Sequence, residues 1–352
     1  MVLTIIINSD IVAYVTTSKL VLPALLAAAA LALSGCSAAA SGSTGGSSGE
    51  LTVVATTTQV ADLARTVIGD ATGVTLTQLI QPNQSAHSYD PSAADLTALG
   101  RADVLVINGV GLEEWLTDAI DASGFHGVTI DSDAGITIAG SGAGNDEAAH
   151  TADAAHDHAG GNPHIWTDVA NAEAMTRTIA AGLVAASTAD ADRAAAFTAN
   201  AASYESRLVA LDTWIRANID PVPAAERLLV SNHDAFGYFT AAYGITYVGS
   251  VIPSFDDNAE PSASEIDQLV TRIRATGVKA VFSEASISPK AADTIARQAG
   301  VTVYSGDDAL YGDSLGPAGS DGATYIASQL HNVRLILESW GVTPTAVPAD
   351  LR

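Results

Sequence analysis

Beyond position 50, short β-branched runs alternate with stretches whose apolar residues recur at helical spacing. Runs at 52–55, 75–80, 103–107 and 128–130 read as strands, with helices at 59–68, 93–99 and 112–122 between them. The rhythm resumes with strands at 228–231, 246–252, 280–283 and 301–304. Strands that alternate with helices imply parallel pairing, because a parallel pair needs a crossover long enough to hold a helix. Roughly 300 residues follow position 50, more than one core usually holds. The expected fold class is therefore α/β with two lobes, each a small parallel sheet flanked by helices.

Two segments break the rhythm. Residues 140–162 are rich in Gly, Ala and Asp, carry His150, His156 and His158, lack apolar periodicity and read as an exposed loop. Over 189–219, Phe197, Tyr204, Leu208, Leu211 and Ile215 lie on one face of a long helix. At about 1.5 Å per residue it reaches roughly 45 Å, enough to run the length of two small lobes as a strut between them.

The N-terminus adds a location. Residues 20–33 form an apolar run that follows Lys19 and ends in Ser34-Gly35-Cys36. It is too short to span a bilayer and has the length of a secretory signal core. The tetrapeptide Leu33-Ser34-Gly35-Cys36 resembles a bacterial lipobox, which makes Cys36 the expected lipid anchor. Residues 1–18 hold no basic residue and place Asp10 where a signal peptide is normally positive, so the start expected from the pattern is nearer Val15. The single cysteine rules out an internal disulfide. A Gly/Ser/Ala tether follows it. The division expected is a signal peptide over 1–35, a tether over 36–50, an N-terminal lobe over 51–187, a linking helix over 188–220 and a C-terminal lobe over 221–352. With 15 Lys+Arg against 39 Asp+Glu and a net charge of −24, the surface repels nucleic acid and favours cations.

Open parallel sheets bind ligands beyond the carboxyl ends of their strands. His87 lies in the loop after the strand at 75–80, and His164 stands where the first lobe closes. His233 follows the strand at 228–231 and opens the next helix, and Asp313 follows the last strand. Three imidazoles and a carboxylate suit zinc and could also take manganese or iron. The spacings form no local metal motif. Asp90, Asp168 and Asp234 each stand near one of these histidines and could orient an imidazole through its other nitrogen. Glu284, after the strand at 280–283, could approach the cleft but reads more readily as a structural hydrogen-bonding partner of a loop, Phe236, Tyr238 and Phe239 read as core, His331 as structural and His126 as a loop residue.

The stretches AHSYDPSAADL, ADVLVINGVGLEEWL, NPHIWTDVANA, SNHDAFGYFTAAYGI, EPSASEIDQLV and GDSLG, in this order and at these distances, resemble the zinc/manganese solute-binding lipoproteins of ABC importers. The resemblance spans 51 to about 340. It implies two lobes joined by one long helix, with a metal site in the cleft between them. The matching ligand positions are His87, His164, His233 and Asp313. It further implies a monomeric, lipid-anchored extracytoplasmic carrier that hands zinc, with manganese as the alternative, to an ABC permease and is not an enzyme. Relatives that prefer manganese commonly carry glutamate where this chain has His233, which tilts the expectation toward zinc. Some zinc-binding relatives carry an acidic residue where Ala86 stands, so the fourth ligand falls to Asp313. A zinc hydrolase would need an open coordination position and a general base, and neither HExxH nor a two-metal Asp/His cluster is present. An adhesin, another role attached to such lipoproteins, finds no recognisable adhesive surface in this sequence.

Overall fold

A computed structural model describes residues 49–140 and 161–352. The signal peptide, Cys36, most of the tether and the His150–His158 segment lie outside the described residues.

The first lobe is a four-stranded parallel sheet in the order β2-β1-β3-β4, built from β1 (Leu51–Ala55), β2 (Val74–Gln78), β3 (Val104–Ile107) and β4 (Val128–Asp131). Helices α1 (Thr58–Ile68), α2 (Ala93–Leu99) and α3 (Leu116–Ser123) cross between the strands. Their starts are set by side chains that satisfy the orphan N–H groups of a first turn: Thr57 accepts from Val60, and Ser92 forms a capping box with Asp95.

The helix expected over 112–122 begins later, at Leu116. Gly109, Val110 and Gly111 all have positive φ, and the Glu113 carboxylate accepts from the backbone N–H groups of Asn108 and Gly109 and from Thr56 Oγ1. The positive φ values take residues 109–111 out of the right-handed helical region, and the helix begins only after the turn that Glu113 ties back to them.

Helix α4 (Val169–Ala186) packs on this sheet, and its Gly182 approaches so closely that an added Cβ would lie 2.4 Å from Ile130 Cδ1. Helix α5 (Ala191–Ile219) follows and leads into the second lobe, so a single helix of 29 residues, about 43 Å long, carries the chain across. The second lobe holds the parallel pairs β5 (Leu228–His233) with β6 (Thr246–Ile252) and β7 (Ala280–Phe282) with β8 (Thr302–Tyr304). Helices α6 (Gly237–Ala242), α7 (Ala263–Thr276) and α8 (Lys290–Ala299) surround them, and α9 (Tyr325–Ser339) returns to pack on α5 and α1. The α/β, two-lobed fold expected from the alternation is the one observed. Strand β5 is longer than expected, because its pairing with β6 continues to His233–Ile252. His233 therefore ends a strand instead of opening a helix.

One buried cluster runs through both lobes, from Val53 and Leu63 through Phe197, Leu208 and Leu211 to Phe239 and Ile336. Among the described residues no helix is long and apolar enough to cross a membrane. Because the α5 face sits at the centre of this cluster, Leu211→Ala is expected to lower unfolding free energy by about 2–5 kcal/mol. The neighbouring Val209→Ala, at a position 52% exposed, should change it by less than about 0.5 kcal/mol. Urea titration of both variants checks the difference.

Candidate metal centre

The loop that follows β2 delivers His87. Ser85 Oγ accepts from the His87 backbone N–H at 3.2 Å and donates to Asp257 Oδ1 at 2.8 Å, and Trp115 Nε1 donates to the Ala86 carbonyl at 3.0 Å. His164 stands at the mouth of a short 3-10 turn, Ile165–Thr167. Asn162 Oδ1 accepts from its backbone N–H at 3.0 Å and lies 2.8 Å from its Nδ1. An acceptor there puts the ring hydrogen on Nδ1 and leaves Nε2 with its lone pair. His233 is held in the same way by Glu284, whose Oε1 takes the backbone N–H at 3.0 Å and Nδ1 at 2.8 Å.

Asp313 comes from a loop late in the chain that is fastened to the early part of it. The Gly312 carbonyl accepts from Gln59 Nε2 and Trp166 Nε1, both at 3.1 Å. Thr58 Oγ1 accepts from the Leu315 N–H at 2.8 Å, and Ser314 Oγ accepts from the Asn83 N–H at 2.7 Å. These bonds tie α1, the loop after β2 and the 3-10 turn to the Asp313 loop, and those from α1 and the turn are buried.

The four side chains named from the sequence meet at one point. Asp313 Oδ2 lies 3.3 Å from His87 Nε2 and 3.1 Å from His233 Nε2, Oδ1 lies 3.3 Å from His164 Nε2, and the Nε2 atoms of His164 and His233 are 3.3 Å apart. One donor atom from each residue lies within 4.8 Å of all the others. Neither oxygen of Asp313, nor His87 Nε2, makes a well-directed hydrogen bond.

Of the three aspartates that could orient an imidazole, Asp168 caps α4 by accepting from Ala170 and Asp90 is exposed, while the backbone N–H of Asp234 donates to the Ser254 carbonyl. Asn162 and Glu284 hold the outer nitrogens of His164 and His233. Asn162, two residues before His164, could have been suspected from its proximity. Glu284, 51 residues from His233, carries no local signal beyond standing at a strand end.

Charge in the cluster follows from burial and proximity. Burial alone would keep His233 neutral, but the Asp313 and Glu284 carboxylates raise its pKa well above the imidazole value. His87 also moves up, Asp313 outweighing burial. For His164 burial wins over Asp313, and its pKa falls to about 4. Burial would raise Asp313, yet His233 and His164 hold it well below the carboxylate range. Without a cation, a proton shared with His233 balances the Asp313 charge.

The family model described as zinc-uptake complex component A, periplasmic (ZnuA), matches residues 53–339. The chain belongs to this family. It is 30% identical over 322 residues to the manganese-binding lipoprotein MntA of Bacillus subtilis (strain 168), covering 88% of this chain and 96% of that protein. It also resembles the zinc-binding protein AdcA of Streptococcus pyogenes serotype M3, at 29% identity over 308 residues, 84% of this chain and 58% of AdcA. It thus spans little more than half the length of AdcA. Its fold superposes on the periplasmic zinc-binding protein TroA from Treponema pallidum with a TM-score of 0.71 and 25% identity, covering 83% of this chain and 99% of TroA. The ZnuA family consists of substrate-binding transport proteins, and its relatives here are named for manganese and for zinc.

The His233 pairing sets a pH signature for the cation-free protein. Its folded pKa lies above the ordinary 6.5, so its stabilisation is complete below about pH 6.5 and is lost as pH rises through the folded value. His164, lowered to about 4, acts in the opposite sense and withdraws stability as pH falls from 6.5 toward 4. The stability gap between the parent and His233→Gln should therefore be wider at pH 6 than at pH 9. Equal gaps in urea titrations at the two pH values would contradict the pairing.

Proposed function

We propose that this chain is the membrane-anchored, extracytoplasmic binding component of an ABC importer, which captures Zn²⁺ between His87, His164, His233 and Asp313 and presents it to a permease. The observation that carries this reading is the set of contacts between the inward-facing atoms, 3.1–3.3 Å long. A tetrahedral shell with ligands at about 2.0–2.1 Å has edges of about 3.3 Å. Three contacts to the Asp313 carboxylate and the one between His164 and His233 are already this short, one atom from each residue lies within 4.8 Å of all the others, and the set consists of the borderline nitrogens and hard oxygen that zinc accepts. A closed four-donor shell leaves no coordination position for a substrate, which favours carriage over hydrolysis.

Manganese is the second reading, favoured by the name of the Bacillus subtilis relative and by the fact that both oxygens of Asp313 face the imidazoles. A bidentate carboxylate gives a fifth donor, which suits a harder ion. Three imidazoles weigh against it. Exchanging His233 for glutamate should shift the zinc-to-manganese affinity ratio toward manganese.

Metal analysis of protein purified without added metal, followed by thermal melts with zinc, tests the reading. At about a thousand times its dissociation constant, one bound zinc adds about 4 kcal/mol to stability. Alanine at His87, His164, His233 or Asp313 should reduce that shift, whereas His126→Ala and His331→Ala should leave it intact. Binding must displace the His233 proton, so zinc affinity should fall as pH is lowered, beginning above pH 6.5. An unaltered zinc shift in His233→Ala overturns the four-ligand site.

Attachment rests on Cys36 and on relatives named lipoproteins. Cys36→Ser should appear in the soluble extracytoplasmic fraction with an unchanged melt. Retention of that variant on salt-washed membranes would rule out the lipid anchor.

A further inference from the structure

Glu284 stands just beyond β7 and is 1% exposed. Its Oε1 takes both of the N–H groups that His233 turns away from the centre. Its backbone forms a parallel bridge with Leu310, flanked by bonds from the Leu310 N–H to Ser283 and from the Ala285 N–H to Leu310, both 2.9 Å. The residue therefore borders the loop that presents Asp313 as well as the strand that presents His233.

Gly312 makes the second contact specific. A Cβ built there would lie 2.0 Å from Glu284 Oε2, 3.0 Å from its Cδ and 3.6 Å from its Cγ, and these are its three nearest atoms. Gly312 is not among the positive-φ residues, so backbone conformation does not demand a glycine at this position. Space for the carboxylate does. Oε2 itself is buried and has no hydrogen-bond partner, so it is held in place by the packing of the Asp313 loop and not by a donor of its own.

We propose that Glu284 is a positioning residue for cation capture: it keeps the His233 hydrogen on Nδ1, aims Nε2 at the centre, and across Gly312 sets the approach of the Asp313 loop. The inference rests on the metal-binding reading above. An imidazole ligand whose other nitrogen is not held can rotate or change tautomer, and loss of such a partner weakens metal binding by about 10- to 100-fold. Glu284 differs from an ordinary partner of this kind because it touches the supports of two ligands at once.

Zinc competition against a chromophoric chelator, with ¹⁵N NMR of the His233 ring in the cation-free protein at a pH high enough to leave it singly protonated, tests this on the full folded domain. Glu284→Ala is expected to bind zinc about 10- to 100-fold more weakly and to lose the fixed Nδ1–H tautomer. Glu284→Gln, which keeps an acceptor at the Oε1 position, is expected to restore the tautomer and most of the affinity. Gly312→Ala should weaken binding in the parent but not in the Glu284→Ala background, because the atoms its methyl group meets are then gone. Parental affinity in Glu284→Ala overturns the proposal, as does a Gly312→Ala loss of equal size in both backgrounds. Should Glu284→Ala fail to fold, Glu284→Gln and Gly312→Ala decide: a retained tautomer with a weakened Gly312→Ala supports it, and parental affinity in Gly312→Ala overturns it. A parent protein that takes no zinc removes the metal reading itself. Zinc binding by the parent with matching variants removes only the role of Glu284.

Discussion

Asp313 places a carboxylate where almost no solvent reaches, 1% exposed, with three imidazole nitrogens about 3 Å away. An isolated charge in such a place is unfavourable by several kcal/mol, and a native structure keeps one only with a partner of opposite sign. The geometry leaves two kinds of partner, a proton on an imidazole or a cation between the rings. Much of the surrounding structure acts to hold the anion against that penalty. Gln59, Trp166 and Thr58 bind the backbone on either side of it, and Asn332 exchanges hydrogen bonds with Tyr311 just before it.

Those anchors also decide how the donors are distributed over the fold. His87 and His164 follow the first sheet in the chain, and the Asp313 loop is bonded to α1 and the turn after His164 even though it lies far later. Only His233 is carried on a strand of the second lobe. The core that runs through α1, α5 and α9 holds these parts in one frame, so the cluster draws its rigidity from helix packing well away from it. Side chains in rotamer minima on packed elements are what a binding site of fixed geometry needs.

The β-branched runs were a guide to every strand of both lobes, to partly exposed ones such as β2 and β4 as well as to buried ones such as β3 and β7. The four converging residues were legible from two directions, their places after parallel strands and their match to the motifs of the family the sequence resembles. Helix starts were less legible where the chain before them leaves the helical region, as the positive-φ residues 109–111 do before α3. The least legible features are the supports of the site. Gln59 and Gly312 are 253 residues apart, and no local pattern links them. Glu284 looked like a loop partner because a carboxylate after a strand gives the same signal whether it meets a loop or an imidazole. Asp90, Asp168 and Asp234 were attractive for their nearness in sequence, which in a folded chain is a weak guide to which nitrogen meets which oxygen.

The choice of cation reduces to how firmly the three imidazoles are held. A harder ion gains more from oxygen than from nitrogen donors, so it would need Asp313 to bind through both oxygens and the rings to spread outward. Spreading is opposed at two of the three rings, His164 by Asn162 and His233 by Glu284, each of which grips the backbone N–H and the outer ring nitrogen of the same residue. His87 is the exception. Its loop is secured through the backbone, by Ser85 and by Trp115 on Ala86, and its ring is the one of the three that is not wholly buried. A shell that must expand would do so there, at the edge of the cluster. The two rigid imidazoles and the pinned carboxylate define three corners of a small tetrahedron, and the fourth corner is the adjustable one. On the metal-binding reading proposed above, that arrangement favours an ion content with short, roughly tetrahedral contacts, which is the argument for zinc over manganese.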